Sequence, residues 1–327
     1  MKRREFMGLV YGVAAWPVVA SAQQPKKIPR IGILYHAASA EEEGINFTSL
    51  REGFKSLGYV EGGNIYFEDR FPAESMEKME MLARQLVDLT VDVFIAVSTQ
   101  SGLAAMKATK TIPIVFAFAA DPVGSGLVSS LSHPGGNVTG LTHIGVDLAS
   151  KRLQLIKDTV PGLSSIALIW DPTMAMSVTL PEREATRAAS GQVGLACELI
   201  ECRSPDAIEE ACSSASRFGA AILGNSAWYF NERTRFAEVA VAKRLAVMGQ
   251  SDVFPEAGLM MSYGANWPAI MRAIAPIVKS ILGGEKPENI PVQQPTKFDL
   301  VVNLKTAKAL GLEIPPMTLA QATRVIE

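Results

Sequence analysis

Seven short polar segments each follow an apolar or β-branched run, and they hold the candidate binding residues of this chain. They are His36 to Ser39, Ser98-Thr99-Gln100-Ser101, Asp121-Pro122 behind Phe116 and Phe118, Trp170-Asp171, Asn225 to Tyr229, Gln250-Ser251-Asp252 and Ser262-Tyr263-Gly264. Hydroxyls beside the free N–H groups of a helix start suit a carboxylate, which is what Ser98, Thr99 and Gln100 offer. Asp121, and after it Asp252, suits an ammonium, while Phe118, Trp228 and Tyr263 suit an apolar body. Aromatics beside carboxylates and hydroxyls are what a small amphipathic ligand needs. His36, Asp171 and Asn225 complete the candidate binding set. Each has a plainer reading. Ser98 or Thr99 can serve only as a helix N-cap, worth about 1 kcal/mol. Asp121 before Pro122 can cap the next short helix, and Trp228 and Tyr229 can be packing residues. Trp170 reads as core, and His133 before Pro134-Gly135-Gly136 as part of a turn.

Catalysis finds little footing. None of the 3 histidines has cysteine or carboxylate neighbours at metal-ligand spacing, so no metal site is expected. Gly224 to Trp228 lacks the final glycine of a hydrolase nucleophile elbow. Gly124-Ser125-Gly126 lacks the third glycine of a dinucleotide fingerprint. Glu209-Glu210 falls on an expected helix and reads as a solvated face. No cofactor is expected.

The first 22 residues read as a cleaved export signal. Lys2, Arg3 and Arg4 precede an apolar stretch from Met7 to Ala20, and Ala20-Ser21-Ala22 supplies a small-x-small cleavage site. The stretch is shorter than the ~20 apolar residues that span a bilayer. Arg3-Arg4 with Phe6 also matches a twin-arginine signal in part. The first cysteine is Cys197, so an amino-terminal lipid-modified cysteine is not expected. Cleavage leaves 305 of the 327 residues, starting near Gln23 in a bacterial periplasm. It removes three basic residues and one acidic one, taking the formal charge from −2 to −4. Such a surface offers no basic field for nucleic acid. Cys197, Cys202 and Cys212 read as buried small residues, with Cys202–Cys212 as the one optional bridge.

These segments need a scaffold, and the hydrophobic pattern supplies it. Apolar strands are expected at 30–35, 65–71, 91–97, 112–118 and 138–143, with helices at 44–57, 76–89 and 99–109 between them. A second array follows: strands at 165–170, 195–200, 220–223, 246–249, 258–263 and 298–303. Its helices are expected at 148–159, 180–191, 206–217, 232–244, 271–282, 306–310 and 318–325. Helical crossovers of this length imply parallel strands with right-handed connections and helices on both faces. The reading is therefore α/β, with one array starting near Ile28 and the other near Asp147. In open α/β sheets, ligands bind beyond the carboxyl ends of the strands.

Five segments then carry a resemblance: Leu57 to Ile65 (LGYVEGGNI), Asp121-Pro122-Val123, Pro134 to Leu141 (PGGNVTGL), Leu259 to Gly264, and Gln294 to Leu312. Together they resemble the ABC-transporter substrate-binding proteins of the tryptophan/tyrosine-binding type. The resemblance implies a type I periplasmic binding protein fold: two Rossmann-like lobes with parallel sheets joined by a three-crossover hinge. It implies lobe 1 at 28–144 plus about 264–295, and lobe 2 at 145–260 plus about 298–327. Crossovers are expected near 142–146, 258–264 and 291–297. It also implies that Ser98, Thr99, Gln100 and Asp121 contact ligand. The chain departs from the family at Ser98-Thr99-Gln100, where Gly-Thr-Pro is frequent, and at Asp171-Pro172, where Asn-Pro is frequent.

The resulting expectation is a monomeric periplasmic solute-binding subunit of an ABC importer, not an enzyme. It would capture a small amphipathic carboxylate or amino acid, aromatic or branched, and deliver it to an inner-membrane permease with its cytoplasmic ATPase. The alternatives are a ligand sensor for a receptor kinase and a secreted α/β hydrolase.

Overall fold

The computed structural model describes residues 27–119, 121–174 and 176–327, so the expected export signal lies outside the described residues. Two sheets organise the chain. The first is built from β1 (Arg30–Leu34), β2 (Tyr66–Arg70), β3 (Val93–Ala96), β4 (Ile114–Ala119) and β5 (Val138–Thr142). Its order is β2-β1-β3-β4-β5, and every pair is parallel. The second is built from β6 (Ser165–Trp170), β7 (Ala196–Glu201), β8 (Ala220–Leu223), β9 (Ala246–Gly249), β10 (Met261–Ala265), β11 (Phe298–Asn303) and β12 (Arg324–Ile326). Its order is β12-β11-β10-β9-β8-β6-β7, parallel throughout except for the β10–β11 pair.

Helices cover both faces of each sheet. The first sheet carries α1 (Ala40–Glu43), α2 (Ile45–Ser56), α3 (Met76–Asp88) and α4 (Thr99–Ala108). The second carries α5 (Ala149–Thr159), α6 (Met176–Gln192), α7 (Ile208–Ser216), α8 (Ala227–Asn231), α9 (Arg233–Ala242) and α10 (Val253–Glu256). The chain ends with α11 (Trp267–Leu282), α12 (Leu304–Leu310) and α13 (Pro316–Gln321). Alternation along the strands explains the two layers. Ile31, Ile33, Val93 and Ile95 pack with Leu50 and Phe54 of α2 and with Ile270 and Ile274 of α11. Leu34, Phe94 and Ala96 point the other way, to Met79, Ala83 and Leu86 of α3. Each such fully buried branched side chain contributes roughly 1.5–3 kcal/mol. Helix α11 follows a second-sheet strand yet packs on the first sheet. Gly53 permits this, because a Cβ there would lie 2.5 Å from the Arg272 carbonyl oxygen.

The chain passes between the sheets three times. The first passage runs from β5 to α5, the second is the short step from β10 to α11, and the third leads into β11. Before the third, Gln293 runs beside β5: its N–H donates to the Gly140 carbonyl and its carbonyl accepts from the Thr142 N–H. The second passage was expected near 258–264. The structure puts β10 over Met261–Ala265, inside the second sheet, so the chain leaves at that strand's end.

One expectation changes. The C-terminal helix expected over 318–325 ends at Gln321, and Arg324–Ile326 instead pair in parallel with Val301–Asn303. Thr323, Val325 and Ile326 are β-branched and favour extended backbone at a sheet edge. The three cysteines are free, and Cys202 and Cys212 lie buried within one core cluster. Burial pushes both thiols up to about 12.

Candidate functional site

The carboxyl ends of the two sheets face one another across a small cavity of about 40 Å³. From the first sheet come His36 after β1, Val97 and Ser98 after β3, Phe118 near the end of β4, and His143 after β5. Thr99 and Gln100 add the first turn of α4. Met174, Asn225, Ser226 and Phe230 come from the second-sheet side, and Trp267 from the start of α11.

Three of these rings form a group. Trp267 lies 5.1 Å from Phe118 and 5.8 Å from Phe230 between ring centroids. Phe118 reaches the group through strained backbone. Its φ is +58°, a conformation costly for a bulky non-glycine residue, and it sits in the irregularity between Phe116 and Ala119 that breaks the β4–β5 register. Thr142 stabilises this corner by donating its hydroxyl to the Ala119 carbonyl at 2.6 Å.

Ser98 caps α4: its Oγ accepts from the Ser101 N–H at 3.0 Å. Thr99 and Gln100, in the first turn beyond the cap, line the cavity with Ser98. A helix start of this kind presents N–H groups and a positive dipole end to an anion.

Two histidines line the cavity with opposite electrostatics. Burial alone would lower the pKa of His36, but the charge of Glu43, the hydrogen bond and charge of Glu74, and the charge of Glu42 raise it to about 9. Its Nδ1 lies 2.9 Å from Glu74 Oε1, and its Nε2 lies 3.4 Å from Glu43 Oε2. His36 is thus an imidazolium between two carboxylates. Burial lowers His143 to about 3, helped by the positive charge of Arg152. Arg152 itself is pulled down to about 10 by burial, against the charge of Glu182. It donates from Nε to the Tyr263 carbonyl and from Nη1 to the Gly145 carbonyl, both at 2.8 Å. One guanidinium therefore ties the first passage to β10, the strand that leads into the second.

Of the eleven residues singled out in the sequence, His36, Ser98, Thr99, Gln100, Phe118 and Asn225 line this cavity. The other five are placed elsewhere. Asp121 accepts from the Gly124 N–H at 2.8 Å, the loop-capping alternative. Asp171 is buried and fully engaged: Oδ1 accepts from the N–H and hydroxyl of Thr173, and Oδ2 from Ser226 Oγ and Trp228 Nε1. Trp228 packs on Tyr229 and Phe236 and lines an outer groove. Asp252 faces Arg324 of β12 at 3.5 Å. Tyr263 packs near Phe298, with centroids 6.2 Å apart. The cavity also contains His143, Met174, Ser226, Phe230 and Trp267, which the sequence reading did not single out. Phe230 lies one residue beyond the Asn225 to Tyr229 segment. The aromatic before Pro268 at the second passage was a readable cue for Trp267.

Comparison with known proteins gives a consistent result. A family model described as "ABC transporter substrate binding protein" matches residues 35–326. A protein of Clostridioides difficile named "Tyrosine-binding protein" is 25% identical over 304 residues, covering 88% of this chain and 82% of its own length. Among solved structures, a conserved domain protein of Vibrio cholerae has a TM-score of 0.86 and 27% identity, covering 91% of this chain and 100% of that one. A Streptococcus pneumoniae ABC domain, solved in complex with L-Trp, has a TM-score of 0.84 and 22% identity, covering 91% and 99%.

Proposed function

This chain belongs to the ABC transporter substrate-binding protein family, and from that premise we propose that it captures an aromatic amino acid between its two sheets. Family membership makes it a binding protein for transport, not an enzyme. The observation that carries the ligand class is the ring group of Phe118, Phe230 and Trp267, drawn from both sides of one cavity. It agrees with the names of relatives, one tyrosine-binding and one solved with L-Trp.

In this reading the ligand's side chain lies among those rings, where an aromatic pair adds about 0.5–1.5 kcal/mol beyond buried area. The carboxylate docks at the N-terminus of α4, against Thr99 and Gln100. The ammonium faces His36, where two carboxylates and one imidazolium leave a net negative charge. Asp121 accepts from the Gly124 N–H and is not among the residues lining the cavity, so this reading assigns the ammonium to the His36 cluster instead.

Pockets for ligands of drug-like size hold about 300–1,000 Å³. A cavity of about 40 Å³ is far smaller, so ligand entry requires the lobes to part at the three passages. Lobe 1 comprises the first sheet with α11, and lobe 2 the second sheet with α12 and α13. Ligand binding then shifts the population between open and closed forms. Export through residues 1–22 would place a monomer in the periplasm, where the closed form is presented to the permease and its ATPase.

Isothermal titration with L-tryptophan, L-tyrosine, L-leucine and 3-indolepropionate tests the ligand class. Micromolar or tighter binding, about −8 kcal/mol, is expected for the aromatic amino acids, with the deaminated analogue weaker. Binding of a sugar, with no aromatic amino acid bound, would reject it. Phe118→Ala should weaken L-tryptophan by about tenfold, a loss of about 1.4 kcal/mol.

A further inference from the structure

We propose that Glu74 is the residue that fastens the cleft, by bonding to Asn231 on the opposite side, and that His36 positions it for this role. Glu74 lies in the loop after β2, at the mouth of the first sheet, and Asn231 ends α8 at the mouth of the second. Asn231 Nδ2 donates to Glu74 Oε1 at 3.3 Å. Among the described residues this is the one side-chain hydrogen bond that spans the cleft away from the hinge passages. The same carboxylate oxygen takes His36 Nδ1 at 2.9 Å.

The loop is built to hold that carboxylate in place. Ala73 and Glu74 both have left-handed backbone, with φ of +54° and +60°. Two successive non-glycine residues in this region are costly and persist only where the surroundings fix them. Here the Ala73 N–H donates to the Ala37 carbonyl and the Glu74 N–H to the His36 carbonyl, at 3.1 and 2.8 Å. Glu43 holds the facing segment from behind. Its Oε1 accepts from the N–H groups of His36 and Ala37 at 3.0 and 3.1 Å.

The position of the contact also fits a fastening. On one side lies the inner cavity, lined by His36 and Phe230. On the other lies an open groove of about 660 Å³, lined by Glu41, Glu42, Glu74, Asn231, Glu232 and Arg233 among others. The His36 ring meets Phe230 edge-on at 6.1 Å, so His36, Glu74, Phe230 and Asn231 together form the partition. The groups facing His36 are Glu42 and Glu43 from α1 and Glu74 from its loop. Across the cleft α8 offers it Phe230 and Asn231, which do not titrate, with Glu232 and Arg233 flanking Asn231 in the groove.

The proposal rests on the reading of a two-lobed protein that opens and closes, but not on the identity of its ligand. Small-angle scattering of the ligand-free chain therefore tests it, with Glu74→Ala, Asn231→Ala, the double variant and Glu232→Gln as a groove control. Each single variant should shift the open-to-closed ratio about tenfold toward open, and the double variant no further. Hydrogen bonds to charged groups have about this magnitude or more. Wild type should also open as the pH rises past 9, where the imidazolium discharges, and Glu74→Ala should not respond. Stopped-flow release of L-tryptophan should quicken about tenfold in the single variants with little change in association. Unchanged radii in both single variants, or additive effects in the double, would overturn the latch. A scattering shift with no L-tryptophan binding by any variant would uphold the latch and reject the aromatic ligand. Tryptophan binding with unchanged radii and release rates would do the reverse.

Discussion

The two ends of the cleft hold the same residue type in opposite states. At the mouth, His36 sits among Glu42, Glu43 and Glu74 and carries a proton up to about 9. At the hinge end, His143 sits near Arg152 and stays neutral down to about 3. Both side chains are almost fully buried, so burial pushes both downward and does not separate them. The difference comes from neighbours: three carboxylates outweigh burial at one end, and a guanidinium adds to it at the other. At the mouth the charged side chains all sit on the first-sheet side, and the Asn231 amide reaches across to one of them, Glu74. At the hinge end a cation is bonded instead to backbone carbonyls, those of Gly145 and Tyr263.

The strongest way to break this comparison is at Glu43. Glu43→Gln should cost about 3 kcal/mol in urea unfolding, since a buried charge partner is lost. The His36 titration, followed by NMR, should fall from about 9 toward the ordinary 6.5. A His36 value that stays put would show that Glu74 and Glu42 suffice to support the cation. Arg152→Met is the matching change at the hinge and should cost about 2–3 kcal/mol, as two bonds to carbonyls disappear. His143 should then titrate above its value of about 3, while His36 stays unchanged.

The pH dependence of stability sharpens the same contrast without mutation. The folded-state pKa of His36 lies above the ordinary 6.5, so its contribution is complete below 6.5 and is lost as pH rises through about 9. His143 lies below 6.5, so its contribution is complete above that value and is lost as pH falls toward 3. Stability should peak near pH 6.5, falling toward pH 9 on the alkaline side and toward pH 3 on the acid side, each by an amount on the order of 3 kcal/mol. Denaturant midpoints from pH 4 to 10 check this, and a loss on the alkaline side of Glu43→Gln as large as in wild type would contradict the assignment to His36. The smallest effect is expected at Ile144, a β-branched residue with φ of +46° just beyond His143. Ile144→Gly should change stability by less than about 1 kcal/mol, because relieved strain offsets lost contacts and added chain entropy. Chemical denaturation measures it directly.

The scaffold was legible because strands buried on both faces leave continuous apolar runs, and the covering helices leave 3.6-residue stripes. Ala220–Leu223, Ala246–Gly249 and Phe298–Asn303 coincide with their expected bounds. The terminal strand was hidden, since Arg324–Ile326 is too short to show a period and becomes a strand only by pairing with β11. At the site, the strand-end rule led to His36, Ser98, Phe118 and Asn225, because topology alone brings those segments to one end. It did not distinguish a carboxylate facing the cavity from one committed elsewhere. Asp171 and Asp121 follow strands as His36 does, but Thr173, Ser226, Trp228 and Gly124 engage them. Such partners are set by loop geometry, which no period in the sequence encodes. Glu43 and Glu74 escaped notice for the same reason, lying 7 and 38 residues from the histidine they charge.

The ring group gives the molecule its own optical probe. Among the tryptophans of the described residues, Trp267 is the one that lines the cavity. Trp228 is tied through its indole nitrogen to Asp171, and Trp170 lies beneath the Arg183 guanidinium. With those two replaced by phenylalanine in a chain beginning at Gln23, the emission comes from a single indole whose neighbours Phe118 and Phe230 lie on opposite sides of the cavity. Its colour and intensity would follow every opening of the cleft in real time, with no dye attached.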